Sequence, residues 1–132
     1  MGFERFAAAA GIAAAVAAPS AGAAMMHPHL GARLAGMGGH GVVDLTSQEL
    51  QGRLCWRFGL HTMHVTRASI RDAHGMKVVE LGMRYRPTGC EHVGRRTLRL
   101  LEAKPRAYRV WVDTKGHPGE LRGTLFAGKA RM

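Results

Sequence analysis

Apolar and polar residues alternate along much of the chain from residue 41 onward. The clearest example is the segment 52–60, which would place one set of side chains on a single face of a strand: Leu54, Trp56, Phe58 and Leu60. Weaker forms of the pattern predict further strands in segments 41–47, 64–73 and 76–82. Such alternation is typical of antiparallel strands that bury one face and leave the other in water.

Residues 107–126, AYRVWVDTKGHPGELRGTLF, predict a β-hairpin. Two alternating runs flank the turn TKGHPG, in which glycine and proline provide the chain reversal. The stretch 86–90, RPTGC, predicts a turn for the same reason.

The apolar period changes once, between residues 94 and 105. Leu98 and Leu101 are three residues apart among good helix formers, and Pro105 ends the pattern. The sequence therefore predicts an all-β protein with one short helix, arranged as a β-sandwich or small barrel.

The first 24 residues have the layout of a secretory signal peptide. Arg5 precedes an uncharged, alanine-dominated run from Phe6 to Ala18, and small residues follow up to Ala24. The run has 13 residues, fewer than the roughly 20 that span a bilayer. We therefore expect a secreted or periplasmic protein with no transmembrane segment after cleavage; a frayed alanine-rich helix is the alternative.

Residues 25–40 have no apolar period, and we expect a flexible arm rich in Met, His and Gly, with a folded domain over 41–127 and a basic tail over 128–132. Thioethers and imidazoles suit copper outside the cytoplasm, and the arm offers such groups on Met25, Met26, His27, His29, Met37 and His40. Cleavage after Ala24 would make His27 the third residue, where it can complete a square-planar Cu(II) site with the free amine. Cleavage after Ala23 would remove that geometry.

Cys55 and Cys90 are the two cysteines of the chain. In a small exported domain an even pair predicts a disulfide. Closing a loop of about 35 residues would contribute roughly 3–4 kcal/mol in the chain-entropy model. A two-cysteine metal or redox site is the alternative, although no C-x-x-C motif is present.

The net charge is +10, from 19 Lys and Arg against 9 Asp and Glu. Such a surface attracts polyanions, including acidic cell-envelope polymers. The basic residues are dispersed through the predicted strands, so the charge also fits a general compositional bias, and nucleic acid is not the partner we expect. No nucleophile elbow or phosphate-binding glycine loop is present, and we expect no enzymatic activity.

Three segments together resemble the CHRD (chordin-type) domain of secreted bacterial proteins: LCWRF, TGCEHVGRRTLRLLEAKPRAYRVWVD and PGELRGTL. The likeness covers residues 40–126 and implies a Greek-key-like sandwich of immunoglobulin or dismutase type, an extracytoplasmic location and a binding or structural role at the cell surface or in the periplasm. It implies no established catalysis. The residues that mark the fold are Trp56, Tyr108, Arg122 and Gly123.

Two histidine-bearing strands of many bacterial members are altered in this chain. Their positions are occupied by Ala68-Ser69-Ile70-Arg71 and Val110-Trp111-Val112-Asp113. A metal role is therefore not expected for the sandwich. We expect Tyr108 to bury its ring, Gly123 to allow a close approach of another chain segment, and Arg122 to contribute to the fold, with Asp113 or an anionic ligand as its possible partner.

Overall fold

The computed structural model describes residues 28–130. Within this range the chain forms nine strands and one α-helix, α1 (Arg95–Ala103). The strands are β1 (His29–Gly36), β2 (Gly39–Gln48), β3 (Arg53–His61), β4 (Val65–Asp72), β5 (Lys77–Glu80), β6 (Thr88–His92), β7 (Tyr108–Thr114), β8 (His117–Thr124) and β9 (Phe126–Ala127).

All described strands belong to one curled antiparallel sheet, in the order β5-β4-β7-β8-β1-β2-β3-β6, with β9 paired to β1. We describe it as two halves, β5-β4-β7-β8 and β6-β3-β2-β1. The chain crosses between them after β3, after β5, after β6 and after β8, which gives the sheet its Greek-key-like connections. The prediction of an all-β fold with one short helix is confirmed.

One hydrophobic core lies on the inner side of both halves. Alternate side chains of every long strand point into it, as the sequence pattern of β3 predicted. Fully buried members include Leu45, Leu54, Ile70, Val112 and Leu121. The intervening residues form the outer face of the sheet, where the charged side chains of the strands lie.

The two halves are joined where β8 pairs with β1, at the registered pair Ala35–Arg122. Glycines allow this close approach: a Cβ on Gly36 would overlap the carbonyl oxygen of Glu120, and one on Gly123 would overlap that of Arg33. The expectation that Gly123 allows a close approach is confirmed.

Helix α1 packs on the sandwich through Leu98 and Leu101, both fully buried. The Oγ of the buried Ser47 on β2 donates a hydrogen bond to Oε2 of Glu102 at 2.5 Å. This polar contact fixes the helix against the end of β2, because it satisfies a hydroxyl that has no access to water.

The structure differs from several local predictions. The flexible arm proposed for residues 25–40 and the domain start at residue 41 conflict with β1, which occupies His29–Gly36 and buries Leu30, Ala32 and Leu34. The glycines of β1 are typical of loops. At Gly31, however, a Cβ would lie 2.6 Å from the backbone nitrogen of Ala130. A position with so little room for a side chain requires glycine.

The turn predicted for residues 86–90 is partly strand, because Thr88–His92 forms β6. At the other end, Ala130 of the predicted basic tail is buried beside β1. Residues 1–27 and 131–132, which include the predicted signal peptide, lie outside the described residues.

Candidate functional site

Cys55 on β3 and Cys90 on β6 form the predicted disulfide. They are directly opposed in the antiparallel register, with their Cα atoms 4.0 Å apart. Cys90 is exposed and Cys55 is half-buried, so the bond lies on the outer face. It attaches β6, a strand at the edge of the sheet, to the strand beside it.

Trp56, the neighbour of Cys55, points the other way, into the core. Its Nε1 donates to the carbonyl oxygen of Arg86 at 3.0 Å, and the guanidinium carbon of Arg86 lies 5.6 Å from the centre of the ring. A Cβ on Gly89 would lie 2.6 Å from the indole, so the glycine makes room for the ring. These contacts, together with the disulfide, give Trp56, Gly89 and Cys90 structural roles in the fold.

One row of outward-facing residues runs across six adjacent strands. The strand register aligns, in order, Ser69, Trp111, Arg122, Ala35, His40 and His61. At about 4.8 Å per strand, this cross-strand row is roughly 24 Å long. It brings together residues far apart in sequence, and the sequence offered no signal for it because it depends on the order and register of the strands.

Two arginines contact Trp111 in this row. The guanidinium carbon of Arg122 on β8 lies 3.9 Å from the ring centre, and that of Arg71 on β4 lies 4.4 Å from it. The Nε of Arg122 also donates to the carbonyl oxygen of Gly119, at 3.1 Å, and Nη1 of Arg71 donates to that of Gly75, at 3.0 Å. Cation–π contacts and hydrogen bonds thus hold both guanidiniums in place.

The predicted pairing of Arg122 with Asp113 is not formed. Asp113 instead accepts a hydrogen bond from the backbone nitrogen of Gly119 at 2.6 Å, which stabilises the β7–β8 turn. Gly119 has φ of +65°, a conformation that glycine adopts without strain. The predicted structural role of Arg122 is supported by its contact with Trp111, and Tyr108 packs its half-buried ring against the core as expected.

Five arginines lie on the outer face of β1, β4, β7 and β8. Arg67 forms an ion pair with Glu80 at 3.9 Å. The other four, Arg33, Arg71, Arg109 and Arg122, are called the arginine face below, together with Trp111. None of these four arginines forms an ion pair with another residue in the range 28–130. The acidic groups of that range are partly engaged elsewhere, for example Glu80 with Lys77 and Glu49 with Arg99. None of the four guanidiniums of the arginine face is therefore neutralised by an ion pair within residues 28–130.

A groove of about 360 Å³ lies next to Arg33 on the outer face. Gly41, Val42 and Gly59 line it together with His40 and His61. The rings of the two histidines are stacked with centroids 4.9 Å apart. Because the register places Ala35 between Arg122 and His40, this groove continues the cross-strand row beyond the arginine face.

A second cleft of about 360 Å³ lies at one end of the sandwich. It is lined by Gly38 of the β1–β2 turn, Met63 and His64 of the β3–β4 loop, and His117 and Glu120 of β8. The arrangement combines a thioether, two imidazoles and a carboxylate from distant parts of the sequence.

The predicted copper residues are not brought together. His29 and His40 lie at opposite ends of the β1–β2 hairpin, six residues apart in register, which corresponds to about 20 Å. They cannot both bind one ion. Met25, Met26 and His27 lie outside the described residues, and an amino-terminal site there stays a prediction. Between residues 28 and 130, no three His, Cys, Asp or Glu side chains are placed to hold a metal ion.

One titratable group in the described range has a clearly shifted pKa. Burial raises the pKa of the Tyr85 phenol above its ordinary value of 10.0. The ring contacts Phe58 edge-on, with centroids 5.6 Å apart.

In residues 28–130, no helix has the length and apolar character needed to cross a bilayer. No protein-family model matches the sequence, and neither a curated protein nor a solved structure matches it. The CHRD assignment thus stays a prediction from the segments quoted above.

Proposed function

We propose that this protein is a secreted or periplasmic, non-catalytic binding module of the CHRD type. It would hold an anionic cell-envelope polymer on the arginine face and the groove beside it. The observation that carries this proposal is the pair of guanidiniums on Trp111, flanked by Arg33 and Arg109 on the same face. Four of the dispersed arginines of the sequence share one face once the strands are in register.

Preorganisation supports the choice of an anionic ligand. An arginine side chain normally loses rotamer freedom on binding, and that loss weakens affinity. Arg71 and Arg122 have already lost it in the free protein, because the indole and backbone carbonyls hold them. Each guanidinium has five N–H donors, so most remain for carboxylate or phosphate oxygens.

The shape of the surface supports a polymer over a small ion. The cross-strand row and the groove form one path from Trp111 to His61, about 19 Å long across five strands. The glycines in the groove leave space beside the backbone, and the stacked histidines provide a ring surface at its end. A chain of anionic sugars would extend along this path.

Export is the second element of the proposal. The signal-like sequence of residues 1–24 supports it, and so does the Cys55–Cys90 disulfide, because such bonds persist in oxidising compartments. Intact mass of the protein recovered outside the cytoplasm, before and after reduction and alkylation, tests it. We expect a chain that begins near Met25 and contains one disulfide. An unprocessed chain with two free thiols would refute export.

The binding test uses polygalacturonate, polyphosphate and neutral dextran as probes, with calorimetry at several salt concentrations. The variant R33Q/R109Q removes two charges from the arginine face, and R96Q/R106Q removes two exposed charges elsewhere. We expect the wild type to bind a polyanion with steep salt dependence and not dextran. The face variant should lose affinity about tenfold or more, whereas the control should lose about twofold or less.

The outcome also distinguishes a site from a general charge effect. Equal losses in the two double variants would mean that net charge alone attracts the polymer, and the proposed face would be wrong. Preference for polygalacturonate over polyphosphate would identify a carboxylated polysaccharide as the polymer class, and the reverse would identify a phosphate polymer. Binding of neither would refute the proposal.

A further inference from the structure

We infer that four exposed methionines are sacrificial oxidation sites for hypochlorous acid, and that a methionine sulfoxide reductase restores them. The four, called the surface methionines below, are Met37, Met63, Met76 and Met83. Their thioethers would consume the oxidant before it damages the tryptophans of the domain. The inference does not depend on the anionic-polymer proposal, because it concerns side chains that do not belong to the arginine face.

The distribution of methionine in the described range differs from the usual one. Methionine is normally among the residues that are most often buried. Each surface methionine is nevertheless at least 66% exposed, and no methionine of residues 28–130 belongs to the core. Most leucines of the same range are buried. Since leucine and methionine exchange readily in cores, packing alone does not explain why the thioethers all lie on the surface.

All four surface methionines lie in connections between strands. Met37 is in the β1–β2 turn, Met63 in the β3–β4 loop, Met76 in the β4–β5 turn and Met83 between β5 and β6. Oxidation converts an apolar thioether into a polar sulfoxide, which disrupts a core when the side chain is buried. At these four positions it removes no core contact, so the fold should tolerate complete oxidation of the surface methionines.

The other sulfur and indole groups of the domain are already oxidised or covered. Cys55 and Cys90 are joined in the disulfide, and no free cysteine is left. Trp56 is 3% exposed, and Trp111 is half-buried with two guanidiniums against its ring. Among the sulfur and indole groups of residues 28–130, the surface methionines are therefore the accessible targets for an oxidant.

Each oxidation is a two-electron step. The methionine sulfur forms a bond to the oxygen of hypochlorous acid and loses two electrons, the O–Cl bond breaks, chloride leaves and the proton passes to water. The reductase reverses the change with two thiols, which become a disulfide while the oxygen leaves as water. One molecule of oxidant is consumed per thioether, so the surface methionines together consume four.

The test is a titration of the full exported chain with hypochlorous acid, followed by tryptophan fluorescence, melting temperature and peptide mapping of the added oxygen. The variant M37L/M63L/M76L/M83L removes the surface methionines. Its control, L50A/L100A, changes two exposed leucines and no sulfur. Oxidised wild type is then treated with the two methionine sulfoxide reductases, one for each sulfoxide epimer, and a thiol donor.

We expect the tryptophan fluorescence of the wild type to persist until each surface methionine has taken up one oxygen atom. In M37L/M63L/M76L/M83L it should fall about four equivalents of oxidant earlier, and L50A/L100A should behave like the wild type. The melting temperature of the oxidised wild type should stay within about 4 °C of the untreated value. The reductases should remove the added oxygen.

Three results would overturn the inference. The first is loss of tryptophan fluorescence at the same dose in the wild type and in M37L/M63L/M76L/M83L, which would mean that the thioethers protect nothing. The second is unfolding of the wild type when the surface methionines are oxidised. The third is persistence of the sulfoxides in the presence of both reductases, which would make the oxidation a lesion and not a reversible modification.

Discussion

Removing the disulfide should cost a large part of the stability of the domain. The bond joins residues separated by 35 positions, and in the chain-entropy model a loop of that length corresponds to about 4 kcal/mol. Domains of this size have total stabilities of about 5–15 kcal/mol. Because Cys90 is exposed and Cys55 half-buried, replacing both by serine removes little packing. The loss should therefore come chiefly from the greater freedom of the unfolded chain.

The assay is urea unfolding of the double variant C55S/C90S against the wild type, followed by far-UV circular dichroism. We expect a loss near 4 kcal/mol, a melting temperature lower by about 15–30 °C, and a larger m-value, since an uncrosslinked chain exposes more surface on unfolding. Wild-type protein kept in reductant is the control and should unfold like the variant.

A loss below about 1 kcal/mol would refute this reasoning. It would mean that the bond only attaches the edge strand β6 to β3, and that the strand pairing and the contacts of Trp56 already hold β6 in place. Hydrogen exchange would then show faster exchange confined to β6 in C55S/C90S, with the rest of the sheet unchanged.

Two smaller predictions test individual contacts. The variant Gly123→Ala should lose about 3 kcal/mol in urea unfolding, because its Cβ would overlap the carbonyl oxygen of Arg33 at the junction of β8 and β1. Gly94→Ala, where a Cβ meets no atom within 4 Å, is the control, and an equal loss there would contradict the explanation. For Tyr85, the raised pKa means that the folded state holds the phenolic proton more tightly than the unfolded chain does. The contribution of Tyr85 to the free energy of unfolding is constant at pH values well below 10. The free energy of unfolding then falls as the pH rises above the pKa that Tyr85 has in the unfolded chain. The difference between the absorbance titrations of wild type and Tyr85→Phe should have a midpoint above pH 10; a midpoint at or below 10 would mean that the phenol is not desolvated.

The sequence predicted those elements whose physical signal is local. Alternation in β3, the turn residues of the β7–β8 hairpin and the leucine spacing of α1 each depend on neighbouring residues, and the structure agrees with them. The disulfide was predicted because the chain has two cysteines, so only one pairing within the chain was available.

The elements that were missed depend on tertiary contacts. In β1 and β6, glycine indicates loops by composition, yet Gly31 lies against Ala130 and Gly89 against Trp56. The same limit applies to the candidate sites. Arg71 and Arg122 are 51 positions apart in the sequence, and only the order β4-β7-β8 brings both onto Trp111.

The position of β1 has a consequence for folding kinetics. This strand pairs locally with β2, but its other partners, β8 and β9, are the last strands of the described chain. The sheet therefore cannot be completed until segments almost a hundred residues apart have met, and such non-local pairing makes folding slow. If the protein is exported as proposed, this delay would keep the chain unfolded while it crosses the membrane, and a mutation that accelerated folding would be expected to reduce the amount exported.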